Sequence, residues 1–331
     1  MDFDSLFNSI EKLRVAVIGD VMLDTYWWGG VDRISPEAPV PIVSLFKKEE
    51  RIGGAGNVAL NVKALGAQVH IISVTGQDEE AERLKALFNK QGIHTRYLLA
   101  SAERITTNKI RVISRNQHMM RLDAENTDWL SPEMEDALIS HFERYLEEEQ
   151  PQVVIMEDYN KGVLGKRVIS EVIRLSKQHQ VIIAVDPKRK NFFEYRGVDI
   201  FKPNLLEARQ GLNLIPDTVT GDFMRNIHDL LQQQLEHKIS FITLSEKGVF
   251  FQEGAYSRII PTHVRNIADV SGAGDTVIAV ASVLYAATGN VNLMAEVANI
   301  AGGLVCEEVG TAAIKKDRLL QECKTLLSSG N

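Results

Sequence analysis

Residues 269–275, "DVSGAGD", run directly into an apolar helical pattern, "TVIAVASVLYAATG". Small residues at 272, 273 and 274 let successive backbone N–H groups turn toward one point, and the helix that follows adds the positive end of its dipole. Such a mouth is an anion hole, suited to the equatorial oxygens of a phosphoryl group in transfer. Asp275 stands beside that charge, where a carboxylate can accept the proton of an attacking hydroxyl. The fragment alone is equally compatible with an N-cap aspartate after a glycine turn.

Four further segments carry chemistry beside a plainer reading. In "RIGGAGNVALNVKALG", Gly53, Gly54 and Gly56 precede Asn57 at a helix start. Gly54, Gly56 and Ala59 satisfy GxGxxA, yet a dinucleotide fingerprint should directly follow the first strand, which here ends in "GDVMLD". The turn either brings Asn57 to a polar ligand or needs glycine for backbone reasons. "DIFKPNLLEARQG" sets Asn204 and Glu207 three apart on one helix face, fit either for a hydrated Mg²⁺ with its phosphates or for an N-cap and its capping-box partner. "FITLSEKG" offers Thr243, Ser245 and Gly248 to phosphate or ribose hydroxyls, or is an ordinary turn. "EDYNKGVLG" places Asp158 and Lys161 at another strand end, and the basic run "PKRKNFFEYRG" reads as a solvated face with Lys188 close to a strand end. No GxxxxGK[ST] and no GxSxG elbow occur, and the eight histidines show no ligand spacing.

The elements that must position these residues follow from short continuous apolar runs at 13–18, 69–74, 153–156, 181–185 and 241–244, separated by helical periods such as "EEAERLKALFNKQG". Strand and helix alternation predicts an α/β fold, a doubly wound, mostly parallel sheet whose strand ends carry the polar residues above. Two segments break the rhythm. Residues 25–45 hold Trp27, Trp28, Pro36, Pro39 and Pro41 without a helical period, and "TTNKIRVISRNQHMMRLD" is strand-like and folds back near Asn116. Together they predict a small projecting β-sheet, with lid insertions at about 25–45 and 105–122. With no Gly-, Ser- or Pro-rich linker, repeat or low-complexity tract, residues 1–331 read as one domain with insertions.

At 331 residues and 44% hydrophobic, the chain can bury a sizeable core. Its formal net charge of −7 argues against a nucleic-acid footprint, which needs a basic face. Only Cys306 and Cys323 are present, without CxxC spacing, so neither a disulfide framework nor a zinc site is indicated and a reducing, cytoplasmic compartment fits. The acidic start reads as no signal peptide, and the longest apolar runs fall short of the roughly 20 residues that span a bilayer.

"GGAGN", "KPNLLE", "TLSEKG" and "DVSGAGD", in that order, resemble the ribokinase family, also called the PfkB carbohydrate kinases, over nearly the whole chain. Val270 departs from the threonine usual in the last motif, a change that leaves the anion hole and the acid in place. "VIGDVMLDTYWWG", "RISPEAPVPIV", "SRNQHMMRLD" and "DYNKG" further resemble the kinase module of the heptose-7-phosphate kinase and adenylyltransferase enzymes of ADP-heptose and lipopolysaccharide inner-core synthesis. The resemblance implies a ribokinase-like three-layer fold and ATP-dependent phosphorylation of the anomeric C1 hydroxyl of D-glycero-β-D-manno-heptose 7-phosphate to the 1,7-bisphosphate. Asp275 would be the base, with Gly272, Ala273 and Gly274 the anion hole. Asp20, Gly54, Asn57 and Asp158 would hold sugar hydroxyls, and Lys109, Arg111 and Lys161 the 7-phosphate. Asn204 and Glu207 would organise ATP phosphates and Mg²⁺, Glu207 through water, while Thr243, Ser245, Gly248 and Asn299 line the nucleotide. A monovalent cation is left open. It also implies a homodimer through the lid and, since no His-x-Gly-His motif is present, a kinase served by a separate adenylyltransferase. A kinase of another sugar phosphate, such as fructose 6-phosphate, is the same-fold alternative. A non-catalytic sugar sensor is the other, though it would be expected to have lost Asp275 or the glycines.

Overall fold

The computed structural model describes residues 2–327 apart from Asn116 and Pro216. In chain order the strands are β1 (Arg14–Gly19), β2 (Val21–Ile34), β3 (Pro41–Gly54), β4 (Gln68–Gly76), β5 (His94–Ser101), β6 (Asn108–Ser114), β7 (Gln117–Ala124), β8 (Val153–Glu157), β9 (Ile182–Asp186), β10 (Ile200–Phe201), β11 (Ile239–Thr243), β12 (Val249–Glu253) and β13 (Tyr256–Ile260). The helices are α1 (Phe3–Ile10), α2 (Ala55–Ala64), α3 (Glu79–Lys90), α4 (Pro132–Glu149), α5 (Lys166–Gln178), α6 (Leu205–Gly211), α7 (Gly221–Leu235), α8 (Ala273–Thr288), α9 (Val291–Val305) and α10 (Lys316–Leu327).

Strands β1 and β8 are buried along almost their whole length, as continuous apolar runs demand of a sheet covered on both faces. They sit centrally in a nine-stranded sheet of order β13-β12-β11-β10-β9-β8-β1-β4-β5, in which only the β11–β12 and β12–β13 pairs are antiparallel. One face packs against α1, α2, α3, α8, α9 and α10, the other against α4, α5, α6 and α7. The expected three-layer architecture is therefore present. Helix α8 is buried on every side from Asp275 to Tyr285, which is why its sequence is apolar all round rather than amphipathic.

A second sheet of order β3-β2-β6-β7 projects from this body. β2 and β3 pair from Val21 opposite Gly54 to Ile34 opposite Pro41, with register shifts at Trp28/Gly29 and Val31/Arg33, and β2 runs parallel to β6 from Leu23 opposite Asn108. The first lid segment is thus longer than the 25–45 expected, because its roots at 21–26 and 52–54 are buried strand continuous with the body, while the irregular, proline-bearing part is confined to its exposed tip. β6 and β7 form an antiparallel hairpin, though the reversal expected at Asn116 lies outside the described residues. The lid is fastened to the body by Arg51, whose Nη1 donates to the carbonyls of Val309 (2.9 Å) and Thr311 (3.0 Å). Among the described residues no helix is long and apolar enough to cross a membrane.

Candidate active site

Parallel strands in register deliver their last residues to one edge, and here Gly19, Glu157 and Asp186 are direct neighbours at the carboxyl ends of β1, β8 and β9. Two helices open above that edge, both on a Gly-Ala-Gly turn. α2 begins after Gly54 (φ +60°) and α8 after Gly272 (φ +79°), conformations that favour glycine. In each helix the third residue carries the polar group, Asn57 in one and Asp275 in the other, and Asn57 Nδ2 donates to Asp275 Oδ2 at 2.7 Å. Asp275 is therefore not an N-cap. It is 4% exposed, and its second oxygen, Oδ1, accepts from the Tyr159 hydroxyl at 2.7 Å. Burial pushes its carboxyl up to about 6, against the hydrogen bonds from Asn57 and Tyr159.

Around Asp275 lies a compact set of charges. Lys202 Nζ is 2.7 Å from Asp186 Oδ2, and Lys188 Nζ reaches both Asp186 (3.3 Å) and Glu207 (2.9 Å). Although burial works against its charge, Lys188 is held above the usual ammonium range by Asp186 and Glu207. Burial likewise opposes ionisation of Asp186, but Lys188 and Lys202 overcome it and hold that carboxyl below the usual range. Glu157 is fully buried and its carboxyl is pushed well upward, by burial first and then by Asp186 and Asp275. The ammonium of Lys202 and the carboxylate of Asp186 both lie 3.8 Å from where a Cβ on Gly274 would stand, so the glycine turn sits directly over this pair. Ala273 N–H is turned back to the carbonyl of Val270 at 3.3 Å.

A cleft of about 640 Å³ opens from this cluster. Asn204, Glu207, Thr243, Ser245, Gly248 and Asn299 all line it, as do Gly272, Ala273, Gly274 and Asp275, so the nucleotide-side residues expected from the sequence share one cavity. Its size suits a nucleotide, since small-molecule sites fall at about 300–1,000 Å³. Asn299 Nδ2 donates to the carbonyl of Pro261 (2.9 Å), and Val270 is exposed on the rim. Asn204 and Glu207 make the full capping box, at 2.8 and 2.9 Å, so the structural reading of that pair holds, and Glu207 adds its ion pair to Lys188. No group of three or more His, Cys, Asp or Glu able to hold a metal occurs among the described residues.

The sugar-side residues are placed differently. Gly54 lies where a Cβ would meet the Asp20 carbonyl at 2.4 Å. Asp20 is buried and accepts from the backbone N–H groups of Tyr159 (2.8 Å), Lys161 (3.0 Å) and Val163 (3.0 Å), which suspends the loop after β8. Burial, then the Asp158 charge, pushes the Asp20 carboxyl up to about 6. Asp158 accepts from Asn160 N–H, from Asn191 Nδ2 (3.1 Å) and from the Tyr195 hydroxyl (2.8 Å), and so organises the same loop from below. Lys161 Nζ pairs with Glu125 (2.7 Å) and Arg111 with Asp24 (2.5 Å), the latter reached because Gly53 leaves room for the Asp24 carboxylate. Lys109 has no carboxylate partner among the described residues. Burial and then the Lys161 charge hold its ammonium below the usual range, and it lies over the Tyr159 ring at 5.6 Å.

Sequence reasoning missed Tyr159, Asp186, Lys202 and Glu157, and singled out Lys188 for its nearness to a strand end without giving it a role. The signal was a charged residue directly after a buried strand, as in "VIIAVDPK" and "DIFKPN".

Comparison with known proteins gives the family. The family model described as pfkB family carbohydrate kinase matches residues 12–318. A protein of Bordetella bronchiseptica named D-beta-D-heptose 7-phosphate kinase is 37% identical over 313 residues, covering 95% of this chain and 97% of its own length. Bifunctional protein HldE of Geotalea uraniireducens is 37% identical across 97% of this chain and 65% of its own, and HldE of Chromohalobacter salexigens 41% identical across 92% and 62%. The chain thus spans somewhat under two thirds of the length of those bifunctional relatives. Phosphofructokinase-2 of Escherichia coli in complex with potassium superposes with a TM-score of 0.77 at 16% identity, covering 96% of this chain and 99% of that one. Arabidopsis thaliana ribokinase complexed with ribose and ATP gives 0.72 at 17% identity, over 94% and 99%. On the family match and the relatives' coverage, the chain belongs to the pfkB family of carbohydrate kinases.

Proposed function

We propose that this chain transfers the γ-phosphoryl group of ATP to the anomeric C1 hydroxyl of D-glycero-β-D-manno-heptose 7-phosphate, giving the 1,7-bisphosphate. The observation that carries the reading is Asp275: a buried carboxylate, fixed on both oxygens, at the helix mouth where the nucleotide cleft meets the loop and lid. The sugar's identity is supported by the Bordetella relative's name and by its coverage of both chains.

In this account Asp275 Oδ1 or Oδ2 accepts the C1 hydroxyl proton while the oxygen attacks phosphorus in line. The glycine turn at 272–274 presents N–H groups to the transferring phosphoryl oxygens. With Ala273 N–H turned toward Val270, Gly272 and Gly274 are the principal donors. Lys188 and Lys202 supply positive charge on the cleft side. The donor set fits Mg²⁺ held chiefly by ATP and water: carboxylates of Asp186, Glu207, Glu246 and Asp275 line the cleft, yet no group of three or more potential ligands able to hold a metal occurs among the described residues. When bound, that ion neutralises charge on the phosphate oxygens. Lys109, with Lys161 and Arg111 beyond it, forms the cationic ground for the 7-phosphate. The exposed apolar lid is the face through which a homodimer would form, and the bisphosphate product would feed an adenylyl-transfer route to ADP-heptose.

Steady-state ADP release with heptose 7-phosphate, fructose 6-phosphate and ribose tests the substrate. A kcat/KM for heptose 7-phosphate at least about 10²-fold above the others is expected, a lower bound beside the roughly 10⁴–10⁵-fold with which a hydrogen-bonding site rejects an analogue lacking the right group. A preference for another sugar would overturn it.

A further inference from the structure

Asp275 is already occupied. Its Oδ1 accepts a 2.7 Å hydrogen bond from the Tyr159 phenol, and a phenol O–H on a carboxylate has the same geometry as an alcohol about to give up its proton. The other oxygen is held by Asn57, whose own helix turn is fixed by Asn61. Tyr159, by contrast, belongs to a loop without regular secondary structure, whose backbone N–H groups hang from Asp20 and Asp158, while its own side chain is held to this site by the one hydroxyl bond to Asp275. Its ring lies between two ammonium groups, Lys109 at 5.6 Å on the lid side and Lys188 at 5.5 Å on the cleft side. Of the two groups on Asp275, the amide is rigidly mounted and the phenol is the replaceable one.

We propose that the Tyr159 hydroxyl holds the acceptor's place on Asp275 in the free enzyme, keeping water from that carboxylate until a sugar hydroxyl displaces it. This rests on the reading of Asp275 as the base. A kinase with a base and a phosphoryl site in one cleft must otherwise suppress attack by water, which is smaller than any sugar. Tyr159 is thus a positioning residue. Once its bond to Oδ1 is exchanged for the sugar's, Asp275 is free to take the sugar's proton, and the phenol keeps its own.

The test compares wild type with Tyr159→Phe, which retains the ring and its packing. ADP release without sugar should rise about tenfold or more, a part of the 10²–10⁴-fold that a positioned base contributes. Adding Asp275→Asn should abolish the rise. The pH profiles make a second, independent reading. A hydrogen bond to the ionised form lowers a carboxyl's pKa, so its loss moves the acid limb of kcat/KM, which reports the free enzyme, to higher pH. The limb of kcat, which reports the sugar complex, should stay where it was, because there the phenol has already left. The other charged groups around Asp275, namely Glu157, Asp186, Lys188 and Lys202, are unchanged in the variant. Asp20, also raised to about 6, holds Tyr159 through its backbone N–H, so a limb set by Asp20 would not move. Unchanged sugar-free hydrolysis, or equal movement of both limbs, would overturn the proposal. The sugar-free arm needs no assumption about the substrate, so its failure stands apart from a wild-type enzyme that does not phosphorylate heptose 7-phosphate, which would sink the assigned function.

Discussion

Asp275 illustrates how far environment, rather than residue type, sets chemistry. Burial raises its carboxyl to about 6, while Asn57 and Tyr159 pull the other way, so the group is ionised at neutral pH yet basic enough to take a proton. The sign of the pH dependence follows: the ionised form is the active one, so kcat/KM is full above the pKa and falls as pH drops through about 6. A pH–rate profile flat to well below that value would contradict the assignment. Asp275→Asn should lower kcat by about 10²–10⁴-fold, while calorimetry shows ATP still bound.

At the level of elements, the two Gly-Ala-Gly openings are the positioning device. A Cβ on Gly272 would stand 2.8 Å from Asn57 Nδ2, in a backbone conformation alanine adopts poorly. Gly272→Ala should therefore cost about 1–3 kcal/mol of stability by denaturant titration and disturb the Asn57–Asp275 bond, lowering kcat well beyond that loss. The capping box at α6 gives a milder case, with Asn204→Ala costing about 0.5–2 kcal/mol. Both glycine turns and the capping box were legible in the sequence because the constraints that select those residues are local. The Asp186–Lys202–Lys188 cluster was not, since Lys202 joins it only through the register of neighbouring strands and lies fourteen residues beyond Lys188 and sixteen beyond Asp186 in sequence. Asp158 was picked out as a polar strand end and Asp20 by the resemblance, both to hold sugar hydroxyls; their oxygens also hold the loop that carries Tyr159, a role no motif spells out. The lid was visible as a break in rhythm, but its buried roots merged with the apolar runs of the body.

For the whole molecule, the proposed reaction sets a nucleotide cleft built by one sheet edge against a lid built by a second sheet. Arg51 joins the lid to the loop at 309–311, which is bonded in turn to Asp269 at the start of the glycine turn by Gly310 N–H. The lid exposes Ile34, Leu45, Met120 and Leu122, and Phe46 is 76% exposed, apolar side chains that a second copy would cover. If a second copy covers it, Phe46→Glu should shift sedimentation from dimer to monomer, and an unchanged monomer for both proteins would remove the dimer from the account. The most direct test of the central claim is phosphorus NMR of the product formed from ATP, Mg²⁺ and heptose 7-phosphate. A second, anomeric phosphate signal beside the retained 7-phosphate, absent with Asp275→Asn, is the predicted result. Turnover that places phosphate on any other carbon, or none with this sugar, would contradict it.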